Sequence, residues 1–298
     1  MSVAATQAGA LARQDRRFGW LMTAPGLAAL VLVVAFPVFF ALFTSLYDYT
    51  LLHPVHDTFI GVENYGKALG EEYLTTSLWV TAKFVVAVVL IEFCIGFLVA
   101  LMLNAVTRFK NIYYVIVLAP LMINPVVVGL IWRMFLHSEL GIVNYVLRSL
   151  GLPAPNWLGD PGTAFWTLVF VDIWHQVSFM AILLLAGLAA LPREPYEAAR
   201  MDGARGLRSF VHITLPLMRP VIAVALLLRL IFAVKTFDLV FIMTKGGPGT
   251  ATDLISYYIY RSAFFGLDIG KASAMSVLLL AVVLALTVYL YRYMKSLR

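Results

Sequence analysis

The stretch Glu197–Pro216 reads EAARMDGARGLRSFVHITLP, and its place in the chain decides how the rest is read. It is the longest polar and basic interval between two apolar spans in the second half of a sequence that is 62% hydrophobic. Such an interval belongs in water, as a connector between membrane helices. Glu197 to Asp202 holds strong helix formers, and Gly203 offers a turn conformation closed to other residues. Phe210, Ile213 and Leu215 then form a second apolar stripe before Pro216. The pattern predicts two short amphipathic helices joined at a glycine and presented for another protein to grip.

Outward from this stretch, the mean hydropathy of +0.89 and the 13% of charged residues in 298 positions describe a polytopic membrane protein rather than a soluble domain. The single cysteine, Cys94, lies inside an apolar run, which excludes an intramolecular disulfide and a multi-cysteine metal site. The formal charge of +6 is carried by residues that flank apolar spans. That is the pattern of membrane orientation, not of nucleic-acid binding. Arg13, Arg16 and Arg17 precede the first span with no small-residue cleavage site after it, so this span is expected to be retained. Residues 1–17 read as a cytoplasmic tail and 18–298 as one transmembrane domain containing the loop 191–216.

A hydrocarbon core of about 30 Å needs roughly 20 apolar residues per helix. The sequence offers six such spans: Phe18–Leu46, Leu78–Leu103, Ile112–Phe135, Thr163–Leu188, Leu217–Met243 and Ala272–Tyr293. The expected fold is therefore an all-α, six-helix transmembrane bundle. One side collects most of the Lys and Arg of the short connections, including Arg108, Lys110, Arg193, Arg200, Arg205, Arg208 and Arg292. By the positive-inside rule both termini and the Glu197 loop are cytoplasmic. The opposite side carries a polar segment from Asp48 to Ser77, a short amphipathic helix within 140–161 and the glycine-rich turn Gly246–Asp253. Pro25 and Pro37 predict bends in the first span, and Pro120 and Pro125 around Asn124 predict them in the third.

Ionisable groups at mid-membrane depth are costly and mark function by default. On the fourth span Asp172, His175, Gln176 and Phe179 share one helical face, and on the fifth Arg229, Phe232, Ala233 and Thr236 repeat the spacing. Donors, acceptors and flat rings on such faces suit a hydroxyl-rich ligand. The competing reading is a buried Asp172–Arg229 ion pair that fixes helix packing, and the two are compatible. Lys235 with Asp238, and Lys83 with Glu92, read as mainly structural.

Enzymatic motifs are missing: the sequence contains no G-x-S-x-G elbow, no H-E-x-x-H helix and no Cys/His cluster. The segment Gly266–Ser273 falls one residue short of a phosphate loop, has no strand before it, and runs into a membrane span. The chain is expected to bind no cofactor, no metal and no ATP by itself.

EAARMDGA followed by FVHITLP resembles the cytoplasmic EAA motif of permease subunits in binding-protein-dependent ABC importers. Glu197, Ala198, Ala199, Asp202, Gly203, Ala204, Phe210, Ile213, Leu215 and Pro216 stand where that pattern wants them. WRMFLHSELGIVNYVL, LAGLAALPREPYEAA and FDLVFIMTKGGPGTATDLISYYIYRSAF are similar to the carbohydrate-uptake branch, and most of all to the larger-type partner of the maltose permease pair. The resemblance implies a type I importer permease fold in the cytoplasmic (inner) membrane of a bacterium or archaeon. It also implies a second homologous permease, two ATPase subunits that hold ATP and Mg, and an external solute-binding protein. In that family Glu197, Ala198, Ala199, Asp202, Gly203, Ala204 and Phe210 would couple to the ATPase. The sugar-contacting positions fall on Asp172, His175, Gln176, Phe179, Arg229, Phe232, Ala233 and Thr236, although the residues there differ from those of the maltose permease. The expected substrate is a sugar or polyol. Arg229 leaves room for an anion such as a glycerol phosphate, and a proton-coupled secondary transporter or a scaffold subunit are the readings from other classes.

Overall fold

The computed structural model describes residues 18–52, 58–204 and 206–296, with side chains described up to residue 292. Arg13, Arg16, Arg17 and Arg205, used above for orientation, and the tail 1–17 lie outside the described residues. Twelve helices follow in order: α1 (Phe18–Thr44), α2 (Glu63–Leu69), α3 (Glu72–Ala105), α4 (Lys110–Leu118), α5 (Pro125–Phe135), α6 (Ile142–Ser149), α7 (Pro161–Ala189), α8 (Glu194–Met201), α9 (207–234), α10 (Asp238–Met243), α11 (Ile255–Phe264) and α12 (Ile269–Ser296). Among the described residues five segments are long and apolar enough to cross a membrane: α1, α3, α7, the run Leu207–Met243 that contains α9 and α10, and α12. No strand occurs among the described residues beyond two isolated bridges, so the all-α expectation holds.

The third predicted span is present in two pieces. Pro120 opens a single 3-10 turn, Pro120–Met122, and Ile123 and Asn124 are extended, with ψ of 136° at both. Each proline lacks an N–H, and Pro125 drives the residue before it out of the helical region. Asn124 then caps α5 by accepting the Val126 N–H at 2.9 Å. A milder effect appears in α1, where Pro37 follows a π-helical stretch, Val31–Ala35.

The core lies between α3, α7 and α9. Half of the most apolar window of α7 is buried, against none of that of α1, so the first span is peripheral. Phe84, Val88, Leu168 and Val171 fill the half of the core remote from the Glu197 loop, and Phe97, Met180, Leu184 and Met218 fill the half near it. Two glycines let the helices approach closely. A β-carbon at Gly96 would lie 2.7 Å from Met180 Cγ, and one at Gly187 would lie 2.7 Å from Val221 Cγ1. Small residues at such contacts are how helices pack where lipid is the solvent.

Candidate functional site

Two places bear on the residues singled out above: the middle of the core and the loop that joins α7 to α9. At mid-core Arg229 reaches from α9 to two other helices. Its Nε and Nη2 donate to Glu92 on α3, the Nη2–Oε1 bond being 2.9 Å, and Nη2 also donates to Asp172 Oδ2 on α7. The relative exposures of Arg229, Glu92 and Asp172 are 1%, 0% and 3%. The planar guanidinium fork suits this two-sided arrangement, which a lysine could not reproduce.

The stripe predicted from the sequence therefore divides. Asp172, His175, Arg229 and Ala233 are buried in the helix core, whereas Gln176, Phe179 and Thr236 are half-buried and Phe232 is exposed. Asp172 and Arg229 pair with each other, the packing alternative considered above, and both are closed off from solvent. Phe179 and Phe232 meet edge to face at 5.4 Å between ring centres and form the accessible part of the stripe. His175 faces the broken third span. Its Nε2–H donates to the Ile123 carbonyl at 3.0 Å, and Gln176 Nε2 sits 3.1 Å from Nδ1. One turn on, Ser178 Oγ donates to the Val117 carbonyl. These two side chains satisfy carbonyls that the break leaves without helical partners.

The loop is built from α8 and a turn. Gly203 and Gly206 both take positive φ, 77° and 57°. The Ala204 N–H returns to the Ala199 carbonyl at 2.8 Å, closing the end of α8. Glu197, Ala198, Asp202 and Gly203 are exposed, and Ala199 and Ala204 are half-buried. The second short helix expected from the sequence is not separate. Leu207–Ser209 runs through a π-helical stretch, Phe210–Thr214, directly into Leu215–Val234. Phe210 turns toward the core, edge-on to Phe97 of α3 at 5.3 Å. Its role is thus attachment of the loop as much as presentation. Tyr196 Oη and Thr214 Oγ1 are 2.9 Å apart and tie α8 to the foot of α9. A cleft of about 570 Å³ lies beneath, lined by Leu101, Asn104, Leu188, Tyr196, Glu197 and Thr214.

Glu92, read with Lys83 as mainly structural, is the bidentate partner of Arg229, which the sequence did not indicate. Sequence reasoning passed over two residues of the loop. Met201 and Leu207, 89% and 76% exposed, flank the glycine turn as apolar side chains free to be covered.

The described residues form a multi-pass helical membrane protein with a charged staple in its core and an exposed loop between α7 and α9. The chain is a member of the family described as "binding-protein-dependent transport system inner membrane component", whose model matches residues 92–297. It is 36% identical over 275 residues to the trehalose/maltose transport system permease protein MalF of Thermococcus litoralis, covering 92% of each chain. It is also 36% identical over 282 residues to the sulfoquinovosyl glycerol transport system permease protein SmoG of Agrobacterium fabrum, covering 95% of this chain and 92% of that one. Among solved structures it matches a bacterial alginate ABC transporter in complex with an alginate pentasaccharide-bound periplasmic protein, with a TM-score of 0.80 and 26% identity over 93% of this chain and 94% of that chain. These relatives carry the sequence-based expectation of a type I importer permease fold.

Proposed function

We propose that this chain is the permease subunit of an ATP-driven importer for a neutral sugar or polyol. It forms half of the pathway beside a second homologous permease. Two ATPase subunits, which alone bind and hydrolyse ATP with Mg, grip the loop 191–216, and an external solute-binding protein delivers the substrate. Both termini and the loop lie on the cytoplasmic side of a bacterial or archaeal cytoplasmic membrane. The observation that carries the reading is the exposed α8 turn, with Glu197, Asp202 and Gly203 on its surface, at the junction of α7 and α9, two of the three core helices.

Arg229 supports the choice of a neutral substrate. Its donors are directed at two carboxylates and its side chain is buried, so it offers no charge to an anion. The accessible Phe179–Phe232 edge and Gln176 supply ring faces and amide donors, the chemistry that holds a sugar. The test is ligand binding to the cognate solute-binding protein, by calorimetry against trehalose, maltose, glycerol, glycerol 3-phosphate and alginate oligosaccharide. Retention of uncharged ligands supports the reading, and a purely anionic ligand set overturns it in favour of a glycerol-phosphate type of importer. Uptake into vesicles that persists without the ATPase overturns the ATP-driven class as a whole.

A further inference from the structure

The Glu92–Asp172–Arg229 cluster has no part in the proposed pathway, because its members are shut from solvent and bonded to one another. We propose that it is an interlock that makes α3, α7 and α9 move as one body, with Glu92 as a positioning residue. This rests on the reading of the chain as an ATP-driven permease.

The chain connectivity shows why an interlock is needed. The loop joins α7 directly to α9, so displacement at Gly203 moves those two helices. No loop ties α3 to them. It follows through side chains: the apolar packing of Phe84 and Val88 beside Leu168 and Val171, the Phe97–Phe210 contact, the close seat of Gly96 on Met180, and the Glu92 carboxylate on Arg229. Apolar contacts between helices in lipid hold by van der Waals packing alone, without a hydrophobic driving force, since lipid tails are as apolar as the partner helix. A charged contact behaves differently. Sliding α3 by one residue, about 1.5 Å, would pull Glu92 off the guanidinium and leave a dry, unpaired carboxylate. The cluster lies about one turn from Gly96 on α3 and about two turns beyond Val221 on α9, and Ile222, Ala225 and Leu226 pack in the interval between the loop and the interlock. His175 and Ser178, on the same helix as Asp172, extend the grip to the broken third span.

The test uses the full transporter with its ATPase and binding protein in nanodiscs, cysteine-free apart from labels (Cys94→Ser in this chain). Spin labels at Leu78→Cys on α3 and Phe170→Cys on α7 occupy positions 43% and 51% exposed, far from the loop. The expected result is one narrow label-to-label distance with and without ATP. Glu92→Ala should broaden it in the ATP state and reduce stimulation of ATP hydrolysis by the binding protein about fivefold or more. Glu92→Gln, which keeps an acceptor for Arg229, should retain both properties. A Glu92→Ala transporter with a narrow distance and full stimulation overturns the interlock. Should Glu92→Ala not assemble, the apolar triple variant Glu92→Leu/Asp172→Leu/Arg229→Met, which leaves no charge stranded, takes its place; the same slackening supports the interlock and parental coupling overturns it. A transporter without substitutions at these three positions that shows no ATP response overturns the permease reading, and the interlock with it.

Discussion

Arg229 spends its hydrogen bonds on carboxylates from two other helices, one of them 137 positions away. Removing it strands Glu92 and Asp172 in a dry core, so Arg229→Ala is expected to cost about 3–5 kcal/mol. The measurement is the melting temperature of the purified protein in detergent; a variant as stable as the parent would contradict the pairing. The residue types were legible in the sequence, because an acid or a base within an apolar run stands out by depth alone. Their partners were not. Helical periodicity places Asp172 and His175 on one face without saying what that face meets. Nothing in the residue types at Ile123 announces a carbonyl waiting for His175.

At the scale of elements, the α8 turn and the rim remote from it respond to different substitutions. Gly203 has φ of 77° and open space where a β-carbon would go. Gly203→Val therefore meets strain of about 1–2 kcal/mol from the left-handed backbone but no clash. The protein should remain in the membrane at normal level, while ATP-driven uptake falls about fivefold or more. Uptake assayed beside immunoblotting checks this, and undiminished transport would count against a docking role for the turn. At the other rim, Glu71 accepts from Lys271 Nζ at 2.6 Å and from Tyr258 Oη, holding α3, α11 and α12 together. Burial pushes the Glu71 carboxyl up, but these two bonds outweigh it and hold the group below the usual carboxylate range. A carboxyl lowered in the folded state stabilises above its ordinary value of about 4.3, and the contribution is lost as pH falls through the lowered value. Melting temperature should therefore drop on acidification through that window. Glu71→Gln should lower it at neutral pH and remove that part of the slope. The broken third span belongs to this scale too: Pro120 and Pro125 announced a bend, and the full break needed Asn124 to cap a new helix.

Across the whole molecule, the peripheral α1 and the outer faces of α3 and α12 present apolar side chains to their surroundings, while polar groups gather at the core staple, the loop and the rim around Glu71. The proposed orientation puts Met201, 89% exposed, in the cytoplasm. Met201→Cys in a Cys94→Ser background should react with a membrane-impermeant maleimide in inside-out vesicles and stay unlabelled in right-side-out ones; the reverse pattern would invert the topology. The sequence by itself determined the membrane class, the places of five of the six predicted spans and the polar character of the Glu197–Pro216 connector, because hydropathy and span length are local properties. Only the tertiary structure decided that Arg229 turns to Glu92 as well as Asp172, that Phe210 packs inward, and that His175 serves the third span. Those outcomes depend on how three helices distant in sequence are rotated against one another, and burial of charge rewards only the rotation in which each group finds its partner.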